Sequence, residues 1–146
     1  MSLRDLPPGR RRLERLEQLL GDVAARSFEC PVLVEGMRDR RALEELGVEG
    51  RILLIHDGSS LPGLASRVSR LSSAVILLTD WDRKGKELFI RLSALLGAEG
   101  LKVYEGPWRS MGGLVARDIQ SVEDLPSLMR QLREESGKGA GPDRPA

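Results

Sequence analysis

At 146 residues with 40% apolar content, the chain is long enough for one well-buried domain and too short for two large ones. A formal net charge of +1 argues against a general nucleic-acid coating protein and leaves room only for a local basic rim. The single cysteine, Cys30, excludes an intramolecular disulfide and any multi-cysteine zinc site. No apolar run approaches the ~18 residues a membrane span needs, and the N-terminus lacks the apolar core of a signal peptide. The expectation is a cytoplasmic protein with no membrane partner. Of 23 basic residues only Lys84, Lys86, Lys102 and Lys138 are lysines. Arginine favours bidentate recognition of phosphate or carboxylate, although genome composition or thermal adaptation accounts for the bias as well.

In chain order, Pro7-Pro8-Gly9 opens an amphipathic helix over roughly residues 9–26, with Leu13, Leu16, Leu19, Leu20 and Val23 at helical spacing. Arg10, Arg11 and Arg12 fall near its start, where cations oppose the helix dipole, as a solvated face or a nucleic-acid contact. Cys30 to Val34 reads as a short buried strand ending in Glu35-Gly36. A helix with Ala42, Leu43 and Leu46 inward follows, stopped by Gly47. Ile52 to Ile55 is a second strand, ending in His56-Asp57-Gly58. Ser59 or Ser60 then caps a helix with Leu61, Leu64, Val68 and Leu71 on one stripe.

The third apolar run, Val75 to Leu78, leads into Thr79-Asp80-Trp81-Asp82-Arg83-Lys84-Gly85. If the strand continues through Asp82, Asp80 and Asp82 project from the same face at its carboxyl end. The next helix presents Leu88, Phe89, Leu92, Leu95 and Leu96, and Leu101 to Tyr104 forms a fourth strand. Strands alternating with helices of this length predict a parallel sheet with right-handed crossovers, whose ligands bind beyond the carboxyl ends of the strands. After Tyr104, Gly106-Pro107 is a breaker, and Ser121 to Asp124 resembles a capping box opening a last helix. The expected organisation is an N-terminal helical extension over 1–27, an α/β domain over 28–105 and a helical extension over 106–135. A disordered tail is expected over 136–146, where apolar residues give out.

Glu35, Asp80 and Asp82 all fall at strand ends and supply hard oxygen ligands that suit Mg²⁺ or Mn²⁺. Such an ion activates a water or hydroxyl and neutralises charge on a phosphoryl group, while a carboxylate set apart from the aspartate pair can work as general acid or base. Gly36 and Gly85 suit tight turns or close approach of a ligand. Arg38, Arg83 and Lys84 lie near the same rim and could position phosphates. The bland alternatives are a capping role for Asp80 and Asp82, with Asp82 at an N-cap, and an Asx turn for Asp57 with Gly58. His56 could be a general base or a turn residue, and Trp81 could stack a base or lie buried under a helix.

At these residues the sequence resembles a Toprim domain, the module shared by topoisomerases, bacterial primases and several nucleases. Val34-Glu35-Gly36-Met37-Arg38-Asp39 matches that family's strand ending in Glu-Gly with an aspartate three residues on. Asp80-Trp81-Asp82-Arg83-Lys84-Gly85 matches its Asp-x-Asp strand end with a following glycine. The Asp57-Gly58-Ser59 turn is similar to the family's polar turn after the second strand. The resemblance covers roughly residues 30–104 and implies a Toprim-like, Rossmann-like four-stranded parallel sheet with helices on both faces. It implies Glu35 as acid/base or metal-linked residue, Asp80 and Asp82 as Mg²⁺ ligands, and Asp39 as a support for the site. Met37 departs from the pattern, because many members carry a lysine there.

The only tyrosine, Tyr104, lies in a predicted strand and no gate domain accompanies it, which argues against a topoisomerase. No Gly-x-x-x-x-Gly-Lys-Ser/Thr loop is present, so no nucleotide cofactor is expected. What remains is similar to the small stand-alone archaeal Toprim proteins. The implied function is Mg²⁺-dependent phosphodiester cleavage of RNA or DNA. The alternative is a non-catalytic nucleic-acid-binding or assembly module that retains the acidic site. The helical extensions could mediate homodimerisation or cover the sheet.

Overall fold

The computed structural model describes residues 2–140. A short 3₁₀ turn, Leu3–Asp5, precedes helix α1, Pro8–Arg26, in which Pro8 occupies a first-turn position that needs no N–H partner. Strand β1 (Val32–Val34) is followed by α2 (Met37–Glu45), β2 (Ile52–Leu54), α3 (Leu61–Leu71) and β3 (Ala74–Leu78). Then come α4 (Arg83–Ala98), β4 (Lys102–Tyr104), α5 (Gly106–Val115), a 3₁₀ turn at Val122–Asp124 and α6 (Leu125–Ala140).

All strand pairs are parallel, in the order β2-β1-β3-β4. Val34 lies opposite Leu54 and Leu78, so the residues just beyond these three strands share one carboxyl edge. The fold class is the expected one, an α/β parallel sheet flanked by helices. Right-handed crossovers place α3 and α4 on one face, packed on each other. Helices α1, α5 and α6 pack together on the other face, with α2 beside α6. The two extensions thus belong to the same core as the sheet: Leu16, Val23, Met111, Leu125 and Met129 are buried with Leu33, Ile76 and Leu77.

Four expectations change. Strand β3 ends at Leu78 instead of continuing through Asp82. Gly106-Pro107 opens α5 instead of breaking the chain, because proline is tolerated in a first turn. Leu71, expected inside, is half exposed at the last position of α3, where it lines a shallow hollow with Phe28 and Pro31. Helix α6 runs to Ala140, past Ser136, where the tail was expected to begin. A helix nucleated on the buried Leu128, Met129 and Leu132 propagates at the gain of one hydrogen bond per residue, and no proline interrupts it after Pro126. The rest of the expected tail, 141–146, lies outside the described residues.

Candidate functional site

Three carboxylates meet at the carboxyl edge where β1 and β3 end. Glu35 leaves β1, and its Oε2 accepts a hydrogen bond from the Asp80 N–H at 2.7 Å. Asp39, in the first turn of α2, is buried; its Oδ2 accepts from the Gly36 N–H at 3.1 Å. Asp80 follows Thr79 past the end of β3, and its Oδ1 accepts from the Val122 N–H at 3.0 Å. The second oxygen of Asp39 accepts from the Glu123 N–H at 3.1 Å. The Trp81 N–H donates to the Gln120 carbonyl at 2.7 Å. Residues 120–123 therefore lie over the acidic corner as a strap, bonded through their own backbone.

Charge is poorly accommodated here. Burial pushes Asp80 up to about 7, and the neighbouring Asp39 and Glu35 carboxylates add to the shift, against the lowering effect of the Val122 N–H. Burial also raises Asp39, despite the Gly36 and Glu123 N–H groups that favour its charged form. Among the described residues no lysine or arginine is ion-paired to Glu35, Asp39 or Asp80. The closest positive candidate is His56, whose Nε2 lies 3.6 Å from Glu35 Oε1, beyond hydrogen-bond reach.

Asp82 does not join the group. With β3 ended, the alternation that would aim it alongside Asp80 no longer operates; it takes the N-cap of α4, and its Oδ1 accepts from the Gly85 N–H at 2.7 Å. Gly85 is required at that turn, since a Cβ there would collide with the Asp80 carbonyl. Gly36, by contrast, faces open space. Asp57 forms the Asx turn: its Oδ1 accepts from the Ser59 N–H at 3.0 Å, Gly58 takes φ +94°, and Arg67 pairs with the other oxygen.

The basic residues are spread out. Arg83 pairs with Glu87 one turn along α4, at 3.3 Å, and Lys84 is exposed beside it. Arg38 lies with Arg41 and Arg130 around a cleft of about 350 Å³ whose other wall includes Glu123 of the strap and Asp124 just after it. Among the described residues no group of three or more His, Cys, Asp or Glu side chains is arranged to hold a metal ion.

Among the groups that fix this corner, sequence reasoning passed over Thr79 and left Trp81 open between stacking and burial. Thr79 is fully buried; its hydroxyl donates to the Gly85 carbonyl at 2.8 Å, and its own carbonyl accepts from Trp108 Nε1 at 2.8 Å. Trp108 stacks on Phe89 with ring centroids 3.9 Å apart, and its carbonyl accepts from Trp81 Nε1 at 3.0 Å. Trp81 is buried, with Gly112 packed against its indole. A hydroxyl between a buried leucine and an aspartate was the only signal for Thr79. Ser121 was visible only as a helix start.

No family model matches the sequence. Among curated proteins, a UPF0292 protein of Methanosarcina barkeri is 36% identical over 135 residues, covering 91% of this chain and 93% of that protein. The chain belongs to the UPF0292 family. Further UPF0292 proteins are similar to it, from Methanosarcina acetivorans at 34% identity (91% of this chain, 92% of that one) and from Thermococcus kodakarensis at 40% (70% and 76%). Among solved structures, a protein of Aquifex aeolicus aligns with a TM-score of 0.64 at 24% identity, over 75% of this chain and 96% of that one. That likeness supports the α/β fold. No helix among the described residues is long and apolar enough to cross a membrane.

Proposed function

We propose that the chain carries out Mg²⁺-dependent phosphodiester chemistry on nucleic acid, as a nuclease built on a single Toprim-type domain. One observation carries this reading. Glu35, Asp39 and Asp80 are gathered at the carboxyl edge of a parallel sheet, with no arginine or lysine ion-paired to any of them among the described residues. Parallel sheets bind ligands at this edge, and crowded carboxylates without a counter-charge favour a bound cation.

The donor chemistry fits Mg²⁺ or Mn²⁺. Asp80 would hold the ion, with its Oδ1 already on the Val122 N–H, while Asp82, expected as a ligand, stays at the α4 N-cap with its Oδ1 on the Gly85 N–H. Mg²⁺ is commonly held by one or two carboxylates with water and substrate phosphates, so a three-residue cage is not required. When bound, the ion polarises a phosphoryl oxygen and lowers the pKa of a coordinated water. Glu35, fixed through Oε2, would take or return a proton at Oε1. Arg38 would orient a phosphate from the adjoining cleft.

A second reading, a non-catalytic nucleic-acid-binding or assembly module, draws on the strap. Its N–H groups already engage Asp80 and Asp39, as a purely structural acidic corner would require. One experiment separates the two. The purified chain is incubated with labelled structured RNA and with single- and double-stranded DNA, in Mg²⁺ or Mn²⁺, beside Glu35→Gln and Asp80→Asn. Cleavage reduced by ~100-fold or more in both variants is expected. Unchanged cleavage in both would overturn the mechanism, and binding without cleavage across the panel would establish the module.

A further inference from the structure

The start of α1 carries charge that the acidic corner does not use. Arg10, Arg11 and Arg12 lie within a turn of its N-terminus, and no acidic residue occupies that first turn. Cations at the positive end of a helix dipole are unfavourable unless an anion lies close. Arg12 has a structural role: its Nε donates to the Leu114 carbonyl at 2.6 Å and its guanidinium pairs with Asp118. Arg10 approaches Glu14 at 4.0 Å. Arg4, Arg11 and Arg15 have no ion-pair partner among the described residues. Together with Arg12 they wall a groove of about 410 Å³ whose floor is Leu3, Pro8 and Leu114.

The position of this groove follows from the topology. Helix α1 runs from the groove to the turn that enters β1 at the amino edge, so its N-terminus lies toward the carboxyl end of the sheet. Leu114 and Asp118, the residues that Arg12 holds, lead directly into the strap over Asp39 and Asp80. The groove and the acidic corner are thus two stations at one end of the molecule, joined by residues 114–123.

The groove is lined almost wholly by apolar surface, the aliphatic stems of its arginines included, with their charged ends left for its margin; it suits a ligand that is flat and apolar on its faces and anionic at its edge. An unpaired nucleotide has that chemistry: its base covers the floor or stacks on a guanidinium plane, and its phosphates meet the free arginines. A duplex hides its base faces and would leave the floor uncovered. We infer that the Arg4-Arg11-Arg15 groove seats an unpaired nucleotide of a single-stranded segment and leads that strand to the acidic corner. The inference rests on the nucleic-acid reading above and adds the form of the substrate and the surface that selects it.

The test uses the full chain without Mg²⁺, so that binding is read apart from cleavage. Fluorescence anisotropy is recorded with a labelled single strand of about 12 nucleotides, its blunt duplex and the same strand with abasic positions. The wild type should bind the intact single strand at least ~5-fold tighter than either of the others. The Arg11→Glu/Arg15→Glu variant should lose ~10-fold or more, and the salt slope should fall by about 1.4 for two lost phosphate contacts. A charge-matched control on the opposite layer, Arg70→Glu/Arg91→Glu, should stay within ~2-fold of wild type. If the wild type binds and the groove variant binds equally well, or the control loses as much, the groove assignment is overturned while the nucleic-acid reading stands. Equal binding of the abasic strand would overturn the seating of a base. If the wild type binds none of the probes, nucleic acid as partner fails and the inference fails with it.

Discussion

Asp80 and Asp57 each lie beyond a parallel strand at the same edge of the sheet, with β1 between their strands, yet their surroundings act on them in opposite directions. Hydrogen bonds from the Ser59 hydroxyl and backbone, with Arg67 adding, hold Asp57 down to about 2. Burial beside Asp39 and Glu35 holds Asp80 up to about 7. Position at a strand end therefore does not by itself mark a functional carboxylate. What separates the two is first burial against local hydrogen bonding, and only second a counter-charge. Asp57 is open to solvent, is held by Ser59 with Arg67 adding, and finishes a turn; Asp80 is buried beside two carboxylates, a state that a cation or a proton would relieve.

The largest test of this contrast removes what holds the Asp80 corner. Trp108→Ala deletes the stack on Phe89 and leaves the buried Thr79 carbonyl without its donor, so it should destabilise the protein by ~3–5 kcal/mol in urea unfolding. A loss below ~1 kcal/mol would show that the corner does not depend on the indole. Less severe is Asp82→Ala, which removes the α4 N-cap at a cost of ~1 kcal/mol. If Asp82 also serves a bound ion, this variant should lose the rise in Tm that Mg²⁺ gives the wild type, an effect beyond a cap alone.

The two aspartates should also imprint opposite pH dependences on stability. Asp80 has a folded value above its ordinary 3.8, so the native state binds the extra proton between the two. Its contribution is fully present below about 4 and is lost as pH rises through about 7. Asp57 has a folded value below 3.8, so its contribution is present above 3.8 and is lost as pH falls through about 2. Asp80→Asn should flatten the Tm profile between pH ~5 and 7.5, whereas Asp57→Asn should leave the slope in that window unchanged, at a uniformly lower Tm, and flatten only the acid limb. An unchanged profile in Asp80→Asn would remove the electrostatic contrast. The smallest effect belongs to Arg67→Ala on the exposed side, where a surface ion pair is worth ~0–1 kcal/mol and salt should mask what there is.

The alternation of short apolar runs with amphipathic stripes made the sheet, its parallel sense and α1 to α4 legible, because periodicity and burial act locally. Glu35 and Asp80 were legible as strand-end residues for the same reason. Asp82 was misplaced because the pattern does not say where β3 stops; the Thr79 carbonyl is taken by Trp108 Nε1 and the Thr79 hydroxyl donates to the Gly85 carbonyl, in place of further strand pairing. The strap was invisible for a different reason. Its bonds to Asp80 and Asp39 come from backbone N–H groups, which every non-proline residue owns, and span 42 and 84 positions of chain. No side-chain pattern encodes such a contact. Met37, the departure from the Toprim pattern, is half exposed at the start of α2, and nothing there replaces a lysine except its neighbour Arg38.

That strap also imposes an order on assembly. All four strands are contained in the chain up to Tyr104, so a chain emerging from synthesis can pair its sheet while Asp39 and Asp80 still face water. Only residues 120–123 give Asp80 its backbone donor and Asp39 its second one, beside the Gly36 N–H that Asp39 has from its own turn. The acidic corner is therefore completed by a segment that contributes no strand to the sheet it closes.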